Sequence, residues 1–396
     1  MRDDLPYSGM KVFDATQGVA GPHCTMLLAQ YGANVIKMEP PEGDWGRTLG
    51  KTYGDLCAHA VAFNRGKRSI AIDLKNAEGQ AIAQKLAADA DIVVESFRPG
   101  VMGRFGLGYD DVIKTNPNVI YLSVTGFGQS GPNSRLPVTD SVIQAFSGFM
   151  SINRDTDGIP QRIGMVAIDV ITGLYAYQAI ASAVLQRLRF GKGKYIDCSL
   201  MQSAAALQSA KIAEFHLEQG APQTLYVPVG TMKTADGYIN VTAMREQHYR
   251  DMMAVLGRPE LADDERFNTR EKRIERETEL MPIVREAFTH KTTAEWAEAL
   301  TESGVMNAPV STYKEFLTDE HVAAVNGLSW IEHAGTGEMP LANIPGLDRM
   351  ETNDGLSACP HVGEHTEAIL SEFGYGERDI AKYIEGKAVA TEQEAA

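Results

Sequence analysis

Residues 10–124 alternate short, continuously apolar segments with helical ones, and this alternation limits the folds open to the chain. Apolar segments with no polar face are typical of strands that are covered on both sides, as in a parallel sheet. The predicted strands are residues 10–14, 33–39, 69–73, 91–95 and 118–124. We therefore expect an open, doubly wound α/β layer whose ligands bind beyond the carboxyl ends of its strands.

The glycine-rich loops of this region do not match the usual phosphate-binding signatures. The turn after the first predicted strand reads TQGVAGPHC, which contains no GxGxxG dinucleotide fingerprint. The later loop GFGQSGP, at residues 126–132, lacks the Lys-Ser/Thr pair of a Walker A loop. The sheet is thus predicted to bind a ligand other than a dinucleotide.

The texture of the sequence changes near residue 225. A hairpin signal at 235–237 is followed by polar, charge-rich helical segments at 246–256, 270–289 and 293–303. A chain of 396 residues is too long for one ordinary domain. We therefore expect residues 225–325 to form a second, smaller α+β domain.

Composition excludes several classes of protein. The formal net charge of −15 argues against nucleic-acid binding, which needs clustered Lys and Arg. The N-terminal sequence shows no secretory signal, and no apolar run approaches the ~20 residues that span a bilayer. The four cysteines are far apart and the nine histidines form no metal-binding cluster, so no metal site is predicted. A reducing cytoplasm is the expected location.

The segment 162–188 is predicted to contain one long, apolar helix with a single acid, Asp169, at its start. An Asp at this position is commonly a helix N-cap, and the positive end of the helix dipole favours its ionised form. The neighbouring residues are apolar, so the carboxylate is expected to be poorly solvated. A structural cap and a reactive carboxylate are both open at this point.

Two segments supply local positive charge in an acidic chain. Residues 64–75 and 95–104 fall at predicted strand ends, and together they contain Arg65, Lys67, Arg68, Lys75, Arg98 and Arg104. Isolated Lys and Arg are usually solvated, but several gathered at one sheet edge suit a phosphorylated small ligand. Phe97 beside Arg98 fits a slot that binds an adenine ring.

Six motifs occur in an order that resembles the class III CoA-transferases, the family that includes formyl-CoA transferase, carnitine CoA transferase and α-methylacyl-CoA racemase. The motifs are FNRGKRSIAIDLK, ESFRPG with GRFGLGYDD, SVTGFGQSGP, DVITGLYAYQAI, FGKGKYIDCSLM and GEHTEAILSEFGY. The resemblance extends over residues 9–375. Each motif alone is moderately specific, whereas their common order is highly specific.

The resemblance implies an architecture. Family members have a Rossmann-like large domain with an open parallel sheet, built from both chain ends, and a small α+β domain joined by two linkers. For this chain the large domain is expected at 1–224 with 326–396 and the small one at 225–325. Such proteins are interlocked-ring homodimers that bind CoA on the large domain, with the active site near the subunit interface.

The resemblance also assigns residues. Asp169 matches the catalytic aspartate, and Asp140 and Thr139 match neighbours of the reacting centre. The positions that match residues lining CoA or its thioester are Val19, Ile72, Asp73, Leu74, Lys75, Ser96, Phe97, Arg98, Arg104 and Leu200.

The implied function is that of a CoA-transferase of the EC 2.8.3 type, which moves CoA from an acyl-CoA to a small carboxylic acid through an aspartyl anhydride and an aspartyl-CoA thioester. CoA is then a substrate, no cofactor is permanently bound, and the partners are acyl-CoA, the acid and a second subunit, with neither nucleic acid nor membrane. Val19 stands where formyl-CoA transferase has Gln, and no glycine-rich closing loop is found near residues 227–231, which disfavours a formyl or oxalate substrate.

Two alternatives stay open. One is an α-methylacyl-CoA racemase or another CoA-dependent isomerase, although a racemase needs a proton relay on each face of the α-carbon. The racemase branch has a His near residue 139, whereas this chain has none between His59 and His216. The other alternative is a CoA-binding protein without catalytic activity.

Overall fold

The computed structural model describes residues 4–155, 157–220, 224–352 and 355–392. They form two compact units, one of residues 1–209 with 326–396 and the other of residues 210–325. The first boundary therefore falls earlier than the predicted one at 224/225, and residues 221–223 beside that prediction lie outside the described residues.

The strands of the described residues are numbered in chain order. They are Lys11–Ala15 (β1), Asn34–Glu39 (β2), Thr52–Tyr53 (β3), Leu56–Cys57 (β4), Arg68–Ile72 (β5), Ile92–Glu95 (β6), Ile120–Thr125 (β7), Lys194–Ser199 (β8), Val229–Lys233 (β9), Tyr238–Thr242 (β10), Met306–Pro309 (β11), Leu328–His333 (β12), Gly337–Ala342 (β13) and Val389–Ala390 (β14).

The α-helices are labelled in the same way, and 3₁₀ turns lie at Trp45–Thr48 and Phe149–Ile152. The helices are Ala20–Gln30 (α1), Ala58–Asn64 (α2), Ala77–Asp89 (α3), Val101–Arg104 (α4), Tyr109–Thr115 (α5), Asp140–Phe146 (α6), Ala167–Phe190 (α7), Leu200–Leu207 (α8), Ser209–Leu217 (α9), Glu246–Val255 (α10), Glu260–Asp263 (α11), Arg270–Glu275 (α12), Glu277–Phe288 (α13), Thr293–Glu302 (α14), Tyr313–Leu317 (α15), Glu320–Ala324 (α16), Thr366–Glu372 (α17) and Glu377–Glu385 (α18).

The first unit is built on a seven-stranded sheet in the order β14-β5-β2-β1-β6-β7-β8. Its strands are parallel except β14, which pairs with β5 in the antiparallel sense and brings the chain end back to this unit. The chain continues from β1 to β2 on one side, whereas β6 lies on the other side of β1. The carboxyl ends of β1 and β6 therefore form the topological switch point, where open α/β sheets bind their ligands.

Helices cover both faces of this sheet. One apolar cluster contains residues of α1, α7 and α8 against β1, β6 and β7, and a second contains residues of α3, α5, α17 and α18 against the other face. Strands buried on both faces explain the continuously apolar segments of the sequence.

The second unit has its own core. Strand β10 lies between β9 and β11 in an antiparallel sheet. Its apolar cluster joins strand residues such as Ile239 and Val241 to Tyr249, Phe288 and Trp296 on the helices. The texture change in the sequence thus corresponds to a change from a parallel sheet to an antiparallel one.

Helix α7 is long and apolar enough to cross a membrane by length and composition, with a mean hydropathy of 1.4 over its most apolar window. The sequence prediction that no run approaches this limit was therefore too strict. Ile168, Thr172, Ala176 and Ile180 are buried at four-residue spacing, and the helix packs against α1. This pattern is that of a core helix with one covered face.

Candidate active site

Asp169 lies in the first turn of α7 but does not cap it. The N-cap position is Val166, which makes no side-chain capping bond. The capping prediction for Asp169 is therefore wrong. Asp140, at the start of α6, caps α7 instead. Its Oδ2 accepts from the backbone N–H groups of Ile168 at 2.7 Å and Asp169 at 3.0 Å.

Asp140 is itself fixed by a buried amide. Its Oδ1 accepts from Nε2 of Gln144 at 2.5 Å, and Oε1 of Gln144 accepts from the backbone N–H of Ile163 at 2.9 Å. Thr139 is the N-cap residue of α6 but makes no side-chain capping bond. One hydrogen-bonded chain thus joins Ile163, in the loop before α7, to the first turn of the helix.

The Asp169 carboxylate has no such partner. Among the described residues, no hydrogen bond or ion pair to its side chain is found, and the residue is partly exposed. Burial, followed by the negative charge of Asp140, raises the pKa of Asp169 to about 7. Desolvation thus raises the pKa towards neutral pH, whereas the helix dipole was expected to favour the ionised form.

A cavity of about 350 Å³ opens beside Asp169. It contains six other residues of the predicted site, together with residues that were not assigned to the site from the sequence. The predicted ones are Val19, Ser96, Phe97, Thr139, Asp140 and Leu200. The additional ones include Gln17, Trp45, Leu49, Arg162 and Val166.

The cavity lies at the switch point of the sheet, between the segments that follow β1 and β6. The two segments are joined where the backbone N–H of Gln17 donates to Oγ of Ser96 at 2.9 Å. Gly18 has φ +81°, and a Cβ there would lie 2.6 Å from Cη2 of Trp45, so a side chain is excluded. The backbone N–H of Gly18 donates to Oδ1 of Asp44 at 2.9 Å.

The first turn of α1 presents backbone donors to the same cavity. Val19 is the N-cap of this eleven-residue helix, and Ala20 and Gly21 line the cavity. Within the described chain, no acceptor is found for the N–H groups of Ala20 and Gly21, as is usual for the first turn of a helix. Such groups can stabilise a developing oxyanion.

A buried ionic network supports the residues after β1. Nζ of Lys67 lies 3.0 Å from Oδ2 of Asp14, and Nζ of Lys37 lies 2.9 Å from Oδ2 of Asp44. Nζ of Lys37 also donates to the carbonyl oxygen of Thr16 at 2.9 Å. Burial disfavours the charged Asp14, but Lys67 and Lys37, together with hydrogen bonds from Thr16 and Thr25, lower the pKa of its carboxyl group.

Three of the basic residues expected to meet phosphates are used elsewhere. Lys67 belongs to the buried network, and Arg65 donates to the carbonyl oxygens of Ala62 and Ala342. Arg68 begins β5, so it lies at the amino edge of the sheet, where it pairs with Glu372. The prediction that these three residues bind a ligand is therefore wrong, and their contacts are structural.

The remaining predicted CoA residues do not line the Asp169 cavity, and they do not share one surface. Ile72 is buried in β5 opposite Val389, and Asp73, Leu74 and Lys75 form the turn before α3. Arg98 lines a separate cavity of about 450 Å³. Arg104 is exposed at the end of α4. These segments follow the carboxyl ends of β5 and β6, on the same edge of the sheet as Asp169.

His23 is the histidine that packs against α7 near Asp169, but it does not line the cavity. Its Nδ1 donates to the carbonyl oxygen of Val170 at 3.0 Å, and burial lowers its pKa to about 4. A Cβ on Gly173 would lie 2.7 Å from this nitrogen, so glycine is required where α1 and α7 meet. His23 is neutral at physiological pH and holds the two helices together.

The additional cavity residues gave little signal in the sequence. Gln17 and Trp45 occur in turns without a motif, and Arg162 is a lone cation in the loop before α7. The described residues contain no cluster of three or more His, Cys, Asp or Glu able to hold a metal ion. The charged side chains that line the cavity are the carboxylates of Asp140 and Asp169 and the guanidinium of Arg162.

Known sequences similar to this chain match nearly its whole length. The sequence model of "CoA-transferase family III" matches residues 7–366. The chain is 35% identical to succinyl-CoA:glutarate CoA-transferase of Homo sapiens, with 97% of this chain and 90% of that protein covered. It is 32% identical to acetyl-CoA:oxalate CoA-transferase of Acetobacter aceti, with 93% and 96% covered.

The fold has a close counterpart among solved structures. A CAIB/BAIF family protein from Brucella suis superposes with a TM-score of 0.82 at 31% identity, covering 93% of this chain and 99% of that one. The named relatives are transferases, and the cavity lining within the described residues contains no histidine. Both findings disfavour the racemase alternative.

Proposed function

The chain belongs to CoA-transferase family III and is a CoA-transferase, and on that premise we propose that it transfers CoA to a small carboxylic acid through a covalent intermediate on Asp169. The observation that carries this proposal is the position of the Asp169 carboxylate. It faces the switch-point cavity, has no hydrogen-bond partner among the described residues and stands beside free backbone donors.

In the first half of the proposed reaction, the Asp169 carboxylate attacks the thioester carbonyl of the donor. The carbon–sulfur bond breaks, and a mixed anhydride and CoA thiolate form. The thiolate then attacks the aspartyl carbonyl of the anhydride, which releases the donor acid as its carboxylate and leaves an aspartyl-CoA thioester. This is nucleophilic catalysis by a carboxylate.

The second half reverses the order with the acceptor. The acceptor carboxylate attacks the aspartyl thioester and expels CoA thiolate, forming a new anhydride. The thiolate attacks the acceptor carbonyl of that anhydride, giving the new acyl-CoA and restoring the Asp169 carboxylate. Each step conserves atoms and charge and needs no further reactant.

The surroundings of Asp169 support this role. A raised pKa makes the carboxylate a stronger nucleophile than a solvated one while leaving a large ionised fraction at neutral pH. The N–H groups of Ala20 and Gly21 are proposed to stabilise the oxyanions of the tetrahedral intermediates. The N–H of Gly18 is not available for this, because it donates to Asp44.

The other expectations extend the proposal. We place the CoA nucleotide along the segments after β5 and β6, where Lys75, Arg98 and Arg104 supply positive charge. The acceptor is a small carboxylic acid, as in the relatives named for glutarate and oxalate. The active form is proposed to be a homodimer in the cytoplasm, where four free cysteines are stable.

The test is CoA exchange by Asp169→Ala and Asp169→Asn, measured between labelled CoA species and a panel of acyl-CoA donors. Both substitutions remove the nucleophile and are expected to reduce exchange by at least about 10³-fold. The control is Asp89→Asn, which also removes one negative charge, here from a surface ion pair with Lys11. This variant is expected to retain full activity.

Near wild-type exchange by either Asp169 variant would contradict the proposal. Incorporation of deuterium at the α-carbon of a branched acyl-CoA in the absence of any acceptor acid would instead support the isomerase alternative. Tight binding of CoA by the wild type with no exchange across the panel would support a binding protein.

A further inference from the structure

The cavity beside Asp169 contains one cationic side chain. Of its charged lining residues, Asp140 and Asp169 are negative and Arg162 is positive. No hydrogen bond or ion pair of Arg162 is found within the described residues, and the side chain is exposed. A guanidinium without a partner, in a cavity that holds the reacting carboxylate, is available to a ligand.

The backbone on both sides of Arg162 is fixed. The N–H of Gln161 donates to the carbonyl oxygen of Asn153 at 2.7 Å, and the N–H of Ile163 donates to Oε1 of Gln144 at 2.9 Å. Gln144 also binds Asp140, which caps the helix of Asp169. The same hydrogen-bonded chain therefore positions the base of Arg162 and the first turn of α7.

Arg162 does not neutralise Asp169. Both residues line the cavity, but their side chains form no ion pair. The guanidinium is therefore not bound to the nucleophile. A ligand that reacts at Asp169 with one end can meet Arg162 with the other.

We propose that Arg162 binds the distal carboxylate of a dicarboxylic acid, so that the enzyme selects dicarboxylates over monocarboxylates of the same length. This inference rests on the proposed function, because it places the near carboxyl group at Asp169. Guanidinium and carboxylate match in a planar, two-bond geometry, and such charge-assisted pairs are stronger than neutral hydrogen bonds.

Electrostatics favour the same assignment. In the proposed reaction the acceptor meets Asp169 as a neutral thioester, so Asp140 is the remaining negative side chain of the cavity lining, and it repels a dianion more than a monoanion. A cation at the distal end offsets this repulsion for a dicarboxylate only. A monocarboxylate leaves the guanidinium without its partner, so discrimination arises from a missing contact rather than from size.

The experiment measures kcat/KM for a matched pair of acceptors, glutarate and pentanoate, with acetyl-CoA as the donor. Acetyl-CoA has no distal carboxylate, so the donor half-reaction does not involve the proposed contact. The wild type is expected to prefer glutarate. Arg162→Gln is expected to lower kcat/KM for glutarate by roughly 10- to 100-fold and to leave the value for pentanoate unchanged.

Two further variants separate this role from others. Arg162→Lys keeps the charge but not the two-bond geometry and is expected to recover part of the preference for glutarate. Arg135→Gln removes an equal charge from an exposed residue outside the cavity lining, and its acceptor preference is expected to match the wild type.

The outcomes are distinct from those for Asp169. Hydroxylamine trapping of the enzyme with acetyl-CoA reports the donor half-reaction and is expected to be unchanged in Arg162→Gln. Equal losses for glutarate and pentanoate, or an unchanged preference, would overturn the role of Arg162 while the nucleophile assignment stands. Loss of trapping in the wild type would overturn the proposed function itself.

Discussion

At the scale of single residues, two carboxylates of the site have different surroundings. Asp140 is buried and accepts three hydrogen bonds, so it serves as the helix cap. Asp169 is three residues past the N-cap position and has no side-chain partner among the described residues. The sequence analysis assigned the helix cap to Asp169, whereas the acid that caps the helix, Asp140, comes from a helix 29 residues earlier.

The pH dependence of kcat/KM for the acyl-CoA donor follows from this arrangement. Asp169 must be ionised to attack, and its pKa is raised to about 7, so the rate is expected to increase with pH through a midpoint near 7 and to level off about one pH unit above it. Asp140→Asn removes the negative charge that contributes to the rise but keeps an oxygen acceptor for the cap. The midpoint is therefore expected to move to lower pH.

Initial-rate profiles from pH 5 to 9 measure this shift, with Asp89→Asn as the control for a distant loss of charge. An unchanged or higher midpoint in Asp140→Asn would show that the Asp140 charge does not act on the nucleophile.

At the scale of elements, the parallel strands could be predicted because burial on both faces leaves a continuously apolar sequence. The hairpin of β12 and β13 could not be predicted in this way. Its buried positions Ser329, Ile331 and His333 alternate with exposed ones, and two of the three are polar. A polar residue buried by tertiary hydrogen bonds gives no apolar pattern to detect.

The ionic network beneath the cavity was also invisible in the sequence. Asp14 and Lys67 are 53 residues apart, and a lone lysine is usually a surface residue. Their meeting is decided by the order of β1, β2 and β5 in the sheet. The network fixes the turn after β1. This turn leads into α1, whose first backbone N–H groups are the donors at the cavity.

Breaking this network is expected to destabilise the protein strongly. Lys67→Met leaves the Asp14 carboxylate buried without its nearest cation, at a cost of about 3–5 kcal/mol in the free energy of unfolding. Lys11→Met breaks the exposed pair with Asp89 and is expected to cost less than about 1 kcal/mol. Urea denaturation followed by circular dichroism measures both, and equal effects would mean that the buried network does not stabilise the fold.

At the scale of the whole molecule, the first unit contains the complete Asp169 cavity, and the second unit interrupts its sequence. The far half of α7 leaves Leu185 and Leu188 exposed on the same face of the helix, three residues apart. Exposed apolar residues grouped on one helix face indicate a surface that another molecule covers. This agrees with the homodimer that we propose.

Light scattering coupled to size exclusion tests the oligomeric state. The expected mass is twice the 43.1 kDa of the chain. Leu188→Glu places a charge on the exposed face of α7, and it is expected to weaken association, whereas Leu136→Glu alters an exposed leucine elsewhere as a control. A wild-type mass of one chain at micromolar concentration would contradict the proposed dimer.

The central claim is that CoA is held on Asp169 during turnover. Incubation with acyl-CoA, reduction with borohydride and peptide mass spectrometry test this most directly, because reduction of an aspartyl thioester converts that aspartate to homoserine. We predict homoserine at position 169 in the wild type, only when acyl-CoA is present. An unmodified Asp169 in an enzyme that turns over, or the modification at another carboxylate such as Asp140, would contradict the account.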